Sequence, residues 1–400
     1  MQISDAYQPS SIFSPASAAR RAVPRVFIAP QRYVQGPGVL EGVGRYLSVM
    51  PVRRVALLMS ARGLRSEGVA IQHSLRGAGI DCMTAEFSGE CSLPEIESHV
   101  LALADERIEC VVAAGGGKCI DAGKAVAFRL NAHVVVVPTL ASNDAPCSAL
   151  SVLYTPSGVS TGVEFYPNSP AFVVVDTDIV AAAPERYLVA GMGDAMATWY
   201  EADVCLRNPH AVTTVGARPT LASCAIGETC AHTLFNEGVA AAASVRAKSA
   251  SAALESVVEA NTLLSGLGFE SGGLAAAHGV AQSYTAIASV HANYLHGEMV
   301  AMGTLAQLMM ERRQDEAIKV ATFFASVGLP INLGQLSLGA GDARTLDIIA
   351  EQTLEFPFIG NMPMAVTADI VRAAVTAADT VGRSVQQSVG DTAYRRLHAG

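Results

Sequence analysis

The sequence predicts an α/β N-terminal domain with a mostly parallel sheet, followed by an all-α C-terminal domain. Three observations carry that reading. Short β-branched runs alternate with helical patterns from Arg25 to about residue 180, those runs then disappear, and glycine-ended helical periodicity occupies the remainder. The strands are predicted in order at "RRVALLMS" (53–60), "DCMTAEF" (81–87), "IECVVAAG" (108–115), "HVVVVPT" (133–139) and "AFVVVDT" (171–177). Runs so continuously apolar belong to strands covered on both faces. Between the last two, "ALSVLYTPSGVSTGVEFYP" alternates around a Pro-Ser-Gly turn and predicts a β-hairpin projecting from the sheet. Beyond residue 181, stretches such as "AASVRAKSASAALESVVEANTLLSGLG" predict helices closed by glycine. The chain therefore divides into a flexible arm (1–24), an α/β domain (25–180) and a helical domain (181–400).

Composition narrows the function classes. With 400 residues, half of them apolar and only 16% charged, the chain has the material for two large cores and is poor in solvated surface. A net charge of −9 argues against a general nucleic-acid or anionic-membrane surface and leaves small-molecule chemistry as the default. The longest apolar stretches are too short to span a bilayer. Eight cysteines without a C-x-x-C pair, and a Ser-, Ala- and Pro-rich start lacking an apolar h-region, read as reduced thiols in a cytoplasmic protein.

Three stretches carry chemistry. "CVVAAGGGKCIDAGKAVAF" places Gly115, Gly116, Gly117 and Lys118 where a buried strand meets a helix. Residues without Cβ let backbone N–H groups approach a pyrophosphate, the helix N-terminus adds partial positive charge, and Lys118 adds a full one. The spacing is neither a Walker A motif nor G-x-G-x-x-G, so a tight turn using glycine for backbone reasons remains the alternative. The next strand ends in a dense polar loop with Thr139, Ser142, Asn143, Asp144 and Ser148, at the carboxyl edge where open α/β sheets place ligands.

The third is dispersed. "YLVAGMGDAMATWYEADVC" buries Asp194 in an apolar helical pattern, which is costly unless the carboxylate is paired or metal-bound. Far downstream come His278 in "GGLAAAHGVAQS" and two histidines in "HANYLHGEMV". One Asp and two His suit a three-ligand divalent metal site with open positions. Either His291 or His296 satisfies the pattern; His296 is favoured because "HGE" opens a helix. Histidines 73, 99, 133, 210, 232 and 398 read as structural.

The ordered set "PQRYVQGPGVLEGVGRYL", "GGGKCIDAGKAVA", "PTLASNDAPCSALSVLYTPSG", "GMGDAMATWYEA", "ESGGLAAAHGVAQ", "LHGEMVAMGTL" and "NMPMAVTADIVRAAVTAAD" resembles the glycerol dehydrogenases of the iron-containing (group III) alcohol dehydrogenase superfamily over nearly everything after residue 25. The resemblance implies a Rossmann-like domain for NAD and a helical domain, in a dehydroquinate synthase-like architecture, with one divalent metal in the cleft between them. It puts the metal ligands on Asp194, His278 and His296. Cofactor contacts fall on Gly117, Lys118, Thr139, Ser142, Ser148, Leu150 and Tyr154, and the substrate hydroxyl contact on Asp144.

Relatives that use iron typically add a histidine one turn after the aspartate. Here Thr198 stands at that position, which favours Zn2+. The implied reaction is oxidation of glycerol or another vicinal diol, a small polyol, by hydride transfer in a homo-oligomeric enzyme. Where the family usually has an acidic residue for the adenosine ribose, this chain has Ser60 with Arg62 close by, so NADP is expected to be used more readily than in typical relatives. The competing reading is a dehydroquinate synthase-like lyase or cyclase acting on a phosphorylated sugar. Such a site needs several Lys or Arg, and the stretches around Asp144, Asp194, His278 and His296 hold almost none.

Overall fold

The protein was described from a computed structural model covering residues 7–14, 23–339 and 341–399. Six parallel strands form one sheet: β1 (Tyr33–Gly36), β2 (Arg54–Met59), β3 (Asp81–Glu86), β4 (Cys110–Gly115), β5 (His133–Pro138) and, after a separate hairpin, β8 (Phe172–Asp176). Their order is β1-β8-β5-β4-β2-β3, all pairs parallel. The hairpin is β6 (Leu150–Tyr154) with β7 (Ser160–Phe165), antiparallel and outside the main sheet. The five predicted strands and the hairpin are present, each within a few residues of the sequence bounds, and β1 is an addition. From Thr177 onward the described residues form helices and their connections, with no named strand.

The central strands are apolar on both faces because both faces are covered. In β2, Val55, Leu57 and Met59 pack with Ile71 and Leu75 on one side. Ala56 and Leu58 pack with Ala122 and Val126 on the other. Period-two alternation therefore exists, but both phases are hydrophobic. The third core is mostly helical, organised around the helix Glu185–Arg207 with the helices Leu221–Arg246, Ala276–Tyr284 and His296–Met310, and it is continuous with one face of the sheet through Val136, Val173 and Val175. Residues 1–6 and 15–22 of the anticipated arm lie outside the described residues. Of the rest, Pro9–Phe13 is helical and the Ser14 hydroxyl donates to the Gly216 carbonyl at 2.8 Å.

The loops after β4 and β5 leave the sheet at its carboxyl edge. The sheet thus presents the glycine turn and the polar loop side by side, and the Thr139 N–H donates to the Gly115 carbonyl at 3.0 Å.

Candidate active site

The helix Glu185–Arg207 carries Asp194, fully buried at its middle. His278 lies in the first turn of Ala276–Tyr284, and His296 is the first residue of His296–Met310. Their ligand atoms all lie within 4.8 Å of one another, the group among the described residues suited to hold an ion. Asp194 Oδ1 stands 3.4 Å from His278 Nε2 and 3.3 Å from His296 Nε2, yet it is buried and has no hydrogen-bond partner. A tetrahedral ion with bonds of about 2.0–2.2 Å separates its ligands by roughly 3.3–3.6 Å, so these spacings fit one. His291 points elsewhere: its Nε2 donates to the Gly158 carbonyl at 3.1 Å.

Two carboxylates that lie inside the quoted motifs, but to which the motifs assign no role, support this trio. Glu201, two turns after Asp194 on the same helix and fully buried, accepts from His278 Nδ1 at 2.6 Å. Its other oxygen accepts the backbone N–H groups of Ala275 at 2.8 Å and His278 at 2.9 Å. That arrangement ties up Nδ1 and leaves Nε2 of His278 as the nitrogen on which a proton and a cation would compete. Burial opposes charge on His278, but Glu201 and Asp194 together hold its pKa well above the ordinary imidazole value. Asp194 is likewise resisted by burial yet held below the usual carboxylate range by His296 and His278.

Glu298 anchors the start of the helix that His296 opens, acting on the backbone and not on the imidazole. It caps the helix by accepting the Leu295 N–H at 2.7 Å, and takes both Arg186 Nε and Nη2 at 2.7 Å and His398 Nε2 at 2.9 Å. Arg186 belongs to the Asp194 helix, so the bidentate pair sets the starts of two ligand-bearing helices against each other. The approach is backbone-close: a Cβ on Gly297 would sit 1.7 Å from the Ala190 carbonyl oxygen, and one on Gly303 would sit 2.0 Å from that of Ala277.

The polar loop lies against this centre. The Asp144 N–H donates to Asp194 Oδ2 at 3.3 Å, and the Asp144 carboxyl is raised well above its usual range by burial and by the charge of Asp194. Lys124, nearly inaccessible, gathers the rest of the loop by donating to Ala145 O at 2.5 Å, Leu150 O at 2.9 Å and Ser148 Oγ at 3.1 Å, with Asp121 as its counter-ion at 3.3 Å. In sequence Asp121 and Lys124 look like a solvated helix pair, but both are buried.

At the glycine turn, the helix Gly117–Arg129 starts with no side-chain cap, which leaves its first N–H groups to a ligand. A Cβ on Gly117 would stand 2.4 Å from Asn143 Nδ2, so the turn and the polar loop touch there. Lys118 lies 5.0 Å from the centroid of the Tyr154 ring. Ser60, at the carboxyl end of β2 beside β4, accepts the Gly63 N–H at 3.2 Å, and Arg62 follows on the exposed side of the same short helix.

Glu270 supports the same loop from behind. It is 1% exposed, its Oε1 accepts the Ala149 N–H at 2.9 Å and its Oε2 has no partner. Burial pushes its pKa up to about 7. Because the folded value lies above the unfolded one, its protonation favours folding fully below about pH 4.5, and that stabilisation is lost as pH rises through about 7. Glu270→Gln is therefore expected to gain stability relative to the parent between those values, by about 3 kcal/mol at most. Denaturation followed at pH 5 and pH 8 checks it: an unchanged difference between the two proteins would contradict the assignment.

An oxidoreductase of the polyol dehydrogenase class accounts for both halves of this arrangement. The family model for iron-containing alcohol dehydrogenases matches residues 34–184. The chain is 43% identical to the glycerol dehydrogenase of Thermotoga maritima over 358 residues, covering 89% of this chain and 97% of that one. It is also 43% identical to a glycerol dehydrogenase of Escherichia coli O6:H1 over 367 residues, 91% of this chain and 99% of the relative. The solved glycerol dehydrogenase of Schizosaccharomyces pombe superimposes with a TM-score of 0.87 at 34% identity, covering 92% of this chain and 93% of that one. The chain belongs to the iron-containing alcohol dehydrogenase family, within its glycerol dehydrogenase branch.

Proposed function

We propose that this enzyme oxidises glycerol, or a similar vicinal diol, to dihydroxyacetone or the corresponding hydroxyketone, with NAD as hydride acceptor and zinc held by Asp194, His278 and His296. The observation that carries this reading is the buried, unpartnered Asp194 Oδ1 with two imidazole nitrogens at 3.3 and 3.4 Å, next to the Asp144 loop. When bound, the cation lowers the cost of negative charge on the alcohol oxygen and the dinucleotide takes up the hydride. The chain's own residues do the rest. Asp144, whose raised pKa suits it to share a proton, orients the second hydroxyl or passes the departing proton outward. Gly115, Gly116, Gly117 and Lys118 receive the pyrophosphate, and the loop from Thr139 through Ser142, Ser148 and Leu150 to Tyr154 holds the nicotinamide half. Zinc is favoured over iron because Thr198, one turn after Asp194, directs its hydroxyl to Ser265 at 2.9 Å and is no imidazole.

Initial rates on a panel of diols with each cofactor, combined with metal analysis, test the proposal. Activity is expected to fall on chelation and to return with zinc. Full turnover by metal-free protein, or no NADH from any vicinal diol, would overturn it. The cofactor preference makes its own prediction. With Ser60 in place of a carboxylate and Arg62 exposed nearby, NADP should support substantial turnover, and Arg62→Ala should lower kcat/KM for NADP about three- to tenfold while sparing NAD. A large NAD preference in the unmodified enzyme would refute this part alone.

A further inference from the structure

Glu90 belongs to none of the motifs above, yet it stands at the mouth of the glycine turn. Its Oε1 forms an ion pair with the Lys118 ammonium, while Oε2 is buried without a partner. The hairpin backs onto it from the far side: the Tyr154 N–H donates to Cys91 O at 2.9 Å, and a Cβ on Gly158 would lie 3.5 Å from Glu90 Oε1 and 3.9 Å from His291 Nε2. His291, from the helical half, closes the ring by donating to the Gly158 carbonyl at 3.1 Å. The hairpin tip and an imidazole thus gather beside the carboxylate that holds the ammonium the turn offers to a phosphate.

An incoming pyrophosphate therefore meets a neutral pair and not a free cation. Part of its attraction to Lys118 goes to replacing Glu90, and the displaced carboxylate then stands near two phosphate charges. We propose that Glu90 is an affinity-setting residue of the dinucleotide site, an internal counter-ion that the pyrophosphate displaces on binding and that reclaims Lys118 on release. The inference rests on the reading of Gly115–Lys118 as that site. Its consequence is a faster exit for the spent cofactor than the glycine turn and lysine alone would allow, product release being a step that limits turnover in many enzymes.

The test is NADH binding to the purified enzyme, read by fluorescence titration and by stopped-flow displacement, for the parent, Glu90→Gln, Lys118→Met and the double variant. The amide keeps the shape and removes the charge. Glu90→Gln is expected to bind NADH about two- to fivefold more tightly, chiefly through slower dissociation, since a part-exposed pair contributes that much. The gain should vanish when Lys118 is already Met. Equal or weaker binding by Glu90→Gln, or a gain that persists without Lys118, overturns the proposal. Should the parent bind neither NADH nor NADPH, the dinucleotide reading itself falls, and the parent titration alone reveals that outcome.

Discussion

Gly297→Ala is expected to remove tight metal binding and to lower kcat/KM by about 100-fold or more. The added methyl would lie 1.7 Å from the Ala190 carbonyl oxygen, a backbone atom inside a helix that has no rotamer with which to retreat. The helices Glu185–Arg207 and His296–Met310 must therefore separate by roughly 1 Å or more, at a cost of about 1–3 kcal/mol. Asp194 and His296, which hold ligand atoms 3.3 Å apart, ride on those two helices and separate with them. Zinc affinity measured by competition with a chromophoric chelator, alongside thermal unfolding, reads both effects. Gly77→Ala is the control, because nothing lies within 4 Å of its Cβ position. Parent-like zinc affinity in Gly297→Ala would show that the ligand geometry does not depend on this contact.

The second large effect concerns Glu201. In Glu201→Ala the buried His278 Nδ1–H and the N–H groups of Ala275 and His278 lose their acceptor together, which costs about 3–5 kcal/mol and leaves little folded protein to assay. Glu201→Gln is the more informative change. Its carbonyl oxygen still accepts the two backbone groups, but its NH2 then faces Nδ1, which must become an acceptor. The ring proton moves to Nε2, the atom that faces Asp194. The variant should fold, melt within a few degrees of the parent, and bind zinc about 10–100-fold more weakly. Parent-like affinity would mean that Glu201 only packs.

The sheet was legible because its central strands are uninterrupted apolar runs, and the helical half because no such run follows Asp176. β1 was not. Its four residues, Tyr33–Gly36, end in glycine and carry a glutamine, and their strand character comes from a ladder with β8 some 140 residues away. Residue types alone pointed to Asp194, His278 and one of His291 and His296, each of them ordinary singly, and the likeness to a family put the ligands on Asp194, His278 and His296. The residues that position the trio and the polar loop beside it were hidden for a common reason. Glu201, Glu298, Arg186 and Lys124 are charged side chains in helices, which pattern reading assigns to solvent, whereas three of the four are buried and their partners are distant in sequence. Glu201 did leave one trace: it lies seven residues after Asp194, on the same face of a helix otherwise apolar there.

All three candidate metal ligands and the carboxylates Glu201 and Glu298 come from the helical half, while the glycine turn and the Asp144 loop come from the sheet half. A jaw-like movement of one half against the other would leave the ligand trio undisturbed and would break the link from the Asp144 amide to Asp194. With a cation in the trio and a dinucleotide at the turn, as proposed, nucleotide exchange would proceed turnover after turnover without reloading the cation.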